Sequence, residues 1–261
     1  MESRTNALIV IICITALSLL SSLDLSAQQE GGFTADRPGA TTGPDVLPKG
    51  RVQWETGTAW ERSSLDETLS TTWTVNTSML RWGFSDYVEL RFQADYLHRS
   101  YKHGRNENGF DNVTIGTKIK LFEGQNAFPA VSLLANVLIP GGDNAEFLPL
   151  HTGGQTGLLF SNELTSWCSL GYEVDLIWNG YTQPTVFWGL GLGFSVGENF
   201  SIQVEEYNNS FEGYSESWSE LSFAFQLSPR VQLDLGTDIS LNHPDKYHNL
   251  LLGVSWQLTS R

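Results

Sequence analysis

Twelve separate stretches of this chain alternate apolar and polar residues. No stretch beyond the N-terminus is apolar for long enough to cross a membrane as a helix. The clearest stretch is DYVELRFQADYLH, residues 86–98, with Val88, Leu90, Phe92, Ala94 and Tyr96 on one parity and Glu89, Arg91, Gln93 and Asp95 on the other. Side chains of a β-strand point to opposite faces with period two, so such a strand sets one face against apolar material and the other in water. A soluble sandwich does this around one finite core. A membrane barrel repeats it strand after strand, with lipid outside and water inside.

The repetition runs the length of the chain. Val52, Trp54, Thr56, Thr58 and Trp60 oppose Gln53, Glu55, Gly57 and Ala59, while Trp73, Val75, Thr77 and Met79 oppose Thr74, Asn76 and Ser78. Val113, Ile115, Thr117, Ile119 and Leu121 oppose Asn112, Thr114, Lys118 and Lys120. Similar runs follow around residues 131–137, 156–162, 169–176, 185–194, 202–205, 220–227, 231–239 and 250–258. In the run at 185–194 the inner parity carries three glycines, which leaves that wall open. The predicted fold is all-β: a 12-stranded antiparallel transmembrane β-barrel of the outer-membrane type.

Connection lengths support spanning. Those at 83–86, 123–127, 164–166, 195–199 and 228–230 are short, and those at 61–71, 98–110, 140–154, 178–184, 208–217 and 242–248 are longer and polar. Short and long alternate, as when strands shuttle between a periplasmic rim of turns and an external rim of loops. Aromatic residues collect at both rims. Trp60, Trp73, Tyr96, Phe110, Trp178, Tyr207, Trp218 and Tyr247 mark the loop side, and Trp82, Tyr87, Phe122, Phe128, Trp167, Phe200 and Trp256 mark the turn side. Lys and Arg avoid the apolar parity, where one at mid-bilayer costs about 2–4 kcal/mol. Arg81 is the exception, assigned to the turn-side rim.

The chain divides into three parts. Residues 1–27 read as a signal peptide, with Arg4, an apolar core from Ala7 to Leu20 and cleavage after Ala27, so the mature protein is exported. Residues 28–50 are Gly- and Pro-rich without periodicity, and residues 51–261 form the barrel. Cys168 is then the single cysteine of the mature chain, so no internal disulfide forms. The formal charge of −14 leaves no basic patch for phosphates, which argues against nucleic acid.

On this register Glu55, Glu89, Arg91, Asp95, Lys118, Lys120, Glu163, Glu173, Asp175, Glu205, Glu220, Asp234 and Asp238 face the lumen. Acids dominate, which suits a cation-favouring conduit or a site for a polar group on a solute, although any wet lumen needs polar residues. Arg91 and Glu89 lie two apart on one strand, and Lys118 and Lys120 are placed to meet Asp95. The segment at 28–50 either folds into the periplasmic mouth as a plug, with Arg37 on luminal acid and Asp36 and Pro38 beside it, or hangs as a tail.

Catalysis would need a nucleophile with a base within reach. All five histidines, His98, His103, His151, His243 and His248, fall in or beside expected loops, and Ser240 near His243 has no supporting motif. An outer-membrane phospholipase-type enzyme is therefore disfavoured. Histidine spacing fits no rigid chelate, so no metal and no cofactor are expected. A non-conducting structural or adhesive barrel is the main alternative to a channel.

TADRPG at 34–39, PDVLPKGRVQWETG at 44–57, PGG at 140–142 and the closing strand resemble the outer-membrane family labelled MetA-pathway of phenol degradation. The resemblance spans essentially the mature chain, and its most specific piece is Asp36, Arg37 and Pro38 before the first strand. It implies a transporter-like barrel in the outer membrane of a Gram-negative bacterium. Such a barrel passes small solutes, aromatic or hydrophobic compounds among them, by passive diffusion. Gly253 to Leu258 resemble the terminal strand that barrel assembly machinery reads, which makes that machinery and outer-membrane lipid the expected partners.

Overall fold

In the computed structural model, residues 33–63, 70–101, 106–125, 127–140, 151–178, 183–244 and 246–259 are described. The expected signal peptide, the start of the leader, His103 and most of the loop at 140–154 lie outside the described residues. Twelve strands follow in order: β1 (Val52–Ser63), β2 (Ser70–Ser85), β3 (Val88–Tyr101), β4 (Asn106–Phe122), β5 (Ala130–Pro140), β6 (Gly153–Thr165), β7 (Cys168–Trp178), β8 (Thr185–Val196), β9 (Phe200–Phe211), β10 (Tyr214–Ser228), β11 (Val231–Ser240) and β12 (Tyr247–Gln257). Each pairs antiparallel with its sequence neighbours, and β1 pairs with β12 to close the barrel.

The barrel is apolar outside and polar within. Leu90, Phe92, Val174, Leu190, Leu235 and Leu252 are exposed on the outer face, while Gln53, Glu55, Arg81, Glu89, Lys118 and Glu205 are buried. Only a surrounding lipid makes that distribution favourable, since in water the apolar face would stay unburied. On β2 the outward rings of Trp73 and Trp82 stand nine residues apart. At about 3.3 Å per residue and a tilt of about 40°, that covers roughly 23 Å of the membrane normal, close to the apolar band of such barrels.

Three expectations are corrected. First, a β-bulge in β2, where the pairing with β3 shifts between Thr74 and Asn76, reverses parity along the rest of the strand. Leu80 and Trp82 therefore face lipid, and Arg81, fully buried, faces the lumen. Thr77 and Met79 likewise turn inward, and the Arg91 guanidinium contacts the Met79 sulfur at 3.0 Å. Asn76 and Ser78 turn outward and are satisfied locally. Thr56 Oγ1 donates to Asn76 Oδ1 at 2.7 Å and Trp54 Nε1 donates to Ser78 Oγ at 3.2 Å.

Second, Tyr207, Trp218 and Tyr247 are not part of the outer girdle. Trp218 is 8% exposed and shares its face with buried Glu220, so it points into the lumen. Tyr207, opposite Trp218 in the ladder, and Tyr247, in edge contact with it, do the same. Third, the expected loop at 208–217 is a two-residue turn. Glu212 and Gly213 take φ of 46° and 83°, the positive pair that a tight hairpin requires, so β9 and β10 continue almost to its tip.

Candidate functional site

Residues 33–50 precede β1 and run inside the barrel, in its turn-side half. The path follows from chemistry: a leader rich in Gly and Pro forms no strand of its own, so its backbone N–H and C=O groups must find side chains on the wall. They do. Ala40 N–H donates to Glu205 Oε2 at 2.6 Å, Thr42 N–H to Glu173 Oε2 at 2.9 Å and Leu47 N–H to Glu89 Oε2 at 2.9 Å. The Thr41 hydroxyl also donates to Glu205. In return Lys118 Nζ donates to the carbonyls of Gly43 and Asp45, at 2.8 and 3.0 Å, and Gln232 Nε2 donates to the Arg37 carbonyl at 2.8 Å.

Two consecutive side chains of this segment reach the wall on either side of the seam between β1 and β12. Asp36 accepts from Lys118 Nζ at 2.8 Å and Arg91 Nη1 at 2.5 Å, and lies 3.5 Å from Arg81 Nη1. Those cations stand on neighbouring strands β2, β3 and β4. Arg81 also pairs with Glu55 at 2.7 Å and Glu89 at 2.8 Å, so the network is deeply buried and nearly charge-balanced. Burial alone would raise the Asp36 carboxyl, but Arg81, Lys118 and Arg91 together outweigh it and hold the group below the ordinary carboxylate range. Arg37 turns the other way and donates to Asp234 Oδ1 on β11 at 3.0 Å.

The wall is shaped to receive Arg37. Gly57 and Gly253 face each other across the seam of β1 and β12. A Cβ on Gly57 would stand 2.7 Å from the guanidinium and one on Gly253 would stand 2.4 Å from it. Glycine in a strand here marks close approach of another part of the chain.

Of the residues assigned to the lumen from sequence, Glu55, Glu89, Arg91, Lys118, Glu173, Glu205 and Asp234 contact the N-terminal segment directly. Asp175 accepts from Gln155 at 2.6 Å and Asp95 from Gln93 at 3.0 Å. The expected meeting of Lys118 and Lys120 with Asp95 is not formed: Asp36 takes Lys118, and Lys120 lies 3.6 Å from Glu123 at the turn. Pro38 lines a cavity of about 410 Å³ between the segment and the wall of β6 to β10, where Ser169, Gly171, Gly191, Gly193 and Ser195 leave space. Ser240 Oγ accepts from the His243 backbone N–H at 3.0 Å, a turn contact and not one to the imidazole. Among the described residues no cluster of His, Cys, Asp or Glu is arranged to hold a metal ion.

Sequence reasoning missed Arg81, the glycine pair and an inward aromatic row. Phe187, Tyr207, Trp218 and Tyr247 line one side of the loop-side lumen in successive ring contacts. Parity along β9 and β10 carries that signal, since Tyr207 and Glu205 share a face, as do Trp218 and Glu220. Position near a strand end conceals it.

A closed 12-stranded antiparallel barrel with an apolar, lipid-facing exterior, a charged lumen and an N-terminal segment folded inside is a membrane-spanning β-barrel. The chain belongs to the family described as "Putative MetA-pathway of phenol degradation", whose model matches residues 35–258. Its fold is similar to that of the COG4313 outer membrane channel from Pseudomonas putida F1, with a TM-score of 0.67 at 13% identity over 85% of this chain and 99% of that one. The translocator domain of the autotransporter NalP from Neisseria meningitidis matches with a TM-score of 0.51 at 10% identity, over 79% of this chain and 87% of that one. The KdgM porin in complex with disordered oligogalacturonate matches with a TM-score of 0.50 at 6% identity, over 78% and 99%. No curated protein sequence matches the chain.

Proposed function

We propose that this protein is an outer-membrane channel that passes small solutes, aromatic or hydrophobic compounds among them, by passive diffusion. Residues 33–50 act as a plug at its periplasmic mouth. The family description points to aromatic degradation, and a barrel of similar fold is a named channel. The observation that carries the plug is the pair of opposite contacts made by adjacent residues, Asp36 on Lys118 and Arg91, and Arg37 on Asp234. A segment held by side chains and not by strand pairing can leave without opening the barrel wall. Its insertion partner is the barrel assembly machinery, engaging β12.

Single-channel recording of the full barrel and of a form lacking residues 28–48 tests this. The deletion is expected to give a larger or noisier current. A deleted form that folds yet stays closed overturns the channel reading and leaves a non-conducting structural barrel. Liposome swelling with graded sugars and aromatic acids then measures which solutes pass.

A further inference from the structure

The aromatic row lies on the loop side of the lumen and takes no part in holding the plug. Tyr207 and Trp218 stack with centroids 6.2 Å apart and planes 3° from parallel. Tyr247 meets Trp218 edge-on at 4.9 Å, and Phe187 lies 6.0 Å from Tyr207 on the other side. One inward position nearer the turns runs a row of acceptors. Glu220 stands opposite Glu205 on β9 and Asp238 on β11, and Asp238 stands opposite Asn249 on β12.

Glu205 is occupied by the plug. The next acceptors are not fully used. Glu220 Oε1, Asp238 Oδ1 and Asn249 Oδ1 are buried and receive no hydrogen bond from the described residues. Glu220 is 2% exposed and Asp238 5%. The other Asp238 oxygen accepts from the Tyr207 hydroxyl at 2.8 Å, which ties the acid row to the aromatic row. Beside Glu220 the wall residue is Gly236, and a Cβ there would stand 3.3 Å from Glu220 Oε1.

The neutral groups beside these acids are the Ser222 hydroxyl near Glu220 and the Asn249 amide near Asp238, and they leave this wall with more acceptor oxygens than donors. Four luminal cations are paired elsewhere: Arg81, Arg91 and Lys118 meet Asp36, and Arg37 meets Asp234. A buried carboxylate oxygen without a donor is unfavourable, and the chemistry that relieves it is a positively charged N–H group. The rings add a second requirement, because Trp and Tyr faces attract a cation and also stack a planar solute.

We propose that Trp218, Tyr207, Glu220 and Asp238 form a solute site selective for aromatic compounds that carry an ammonium group. The inference deepens the channel reading by naming a solute class. A neutral aromatic of the same size keeps the ring contact and loses the donor. An aromatic carboxylate meets like charge.

Benzylamine, benzyl alcohol and benzoate share one ring and differ in charge, so their binding to the full barrel in detergent, measured by calorimetry, tests the site. Benzylamine is expected to bind at least about tenfold more tightly than benzyl alcohol, the worth of one charge-assisted hydrogen bond, with benzoate weakest. The double change Glu220→Gln and Asp238→Asn should bring benzylamine down to the level of benzyl alcohol, whereas Trp218→Leu should weaken both. Benzoate binding as tightly as benzylamine to the unaltered protein overturns the proposal, whatever the variants do. Swelling of liposomes by the same solutes separates the two readings. Binding selectivity without permeation keeps the site and removes the channel, and permeation without selectivity keeps the channel and removes the site.

Discussion

Changing Asp36 to Asn removes the single carboxylate that the N-terminal segment offers to Arg81, Arg91 and Lys118, at 3.5, 2.5 and 2.8 Å. Two acids, Glu55 and Glu89, then face three cations in a volume closed to water. Breaking a buried charge set by removing one partner costs about 3–5 kcal/mol. At about 1.4 kcal/mol per tenfold, the ratio of undocked to docked plug should rise roughly a hundredfold to a few thousandfold. Single-channel recording reads this as a rise in the ratio of open to closed time. The same contact fixes a pH dependence. Asp36 has an ordinary value of 3.8 when free and is held lower when docked. Its contribution to docking is therefore fully present above about pH 4 and is lost as pH falls below that value through the docked value. Open time in the unaltered protein should stay flat from pH 7 to pH 5 with respect to this group and climb only in stronger acid. An Asp36→Asn channel whose open time matches the parent would refute the clamp.

The glycine seam makes a steric prediction: Gly253→Val places carbon where the Arg37 guanidinium now lies, 2.4 Å from the Cβ position, and should reproduce the open-time increase of Arg37→Ala while the barrel still folds. An unchanged current would mean that Arg37 does not rest on that seam when the channel is closed. Arg81→Met leaves Glu55 and Glu89 buried without their cation, so urea unfolding in lipid should show a loss of about 3–5 kcal/mol. A loss below about 1 kcal/mol, the scale of a surface pair, would place Arg81 outside the network. On the outer face, Leu235→Arg should destabilise the barrel by about 2–4 kcal/mol in the same assay, and a neutral result would remove Leu235 from the hydrocarbon.

Strand number, closure and most of the alternation were legible because lipid and water impose opposite demands on successive residues, so β3, β7, β8 and β11 show their faces directly. Simple alternation puts Arg81 on the wrong face because one bulge shifts parity, yet the shift leaves a trace. Trp73 and Val75 are apolar on odd positions, and Leu80, Trp82 and Phe84 are apolar on even ones. The turn at Glu212 and Gly213 looks like a loop in the sequence because it lacks the Asn-Gly pair that usually announces a positive-φ hairpin. Which luminal acids meet the N-terminal segment could not be read, since those contacts span up to 197 positions of sequence and depend on where an aperiodic segment folds back.

Adjacency of Asp36 and Arg37 decides how the proposed plug would move. Their Cα atoms are about 3.8 Å apart, as across any trans peptide. Their side chains nonetheless grip different strands, β2 to β4 on one side of the β1–β12 seam and β11 on the other. A backbone shift large enough to free either side chain moves the other by nearly the same amount, so the segment should dock and undock as one body. Asp36→Asn and Arg37→Gln are then expected to open to the same conductance level and to differ in dwell time alone. In the double variant the two increases in open-to-closed ratio should multiply, because the two contacts stabilise one docked state through separate partners. Distinct sublevels for the two single variants would show instead that each contact guards its own part of the lumen, and the one-body plug would have to be abandoned.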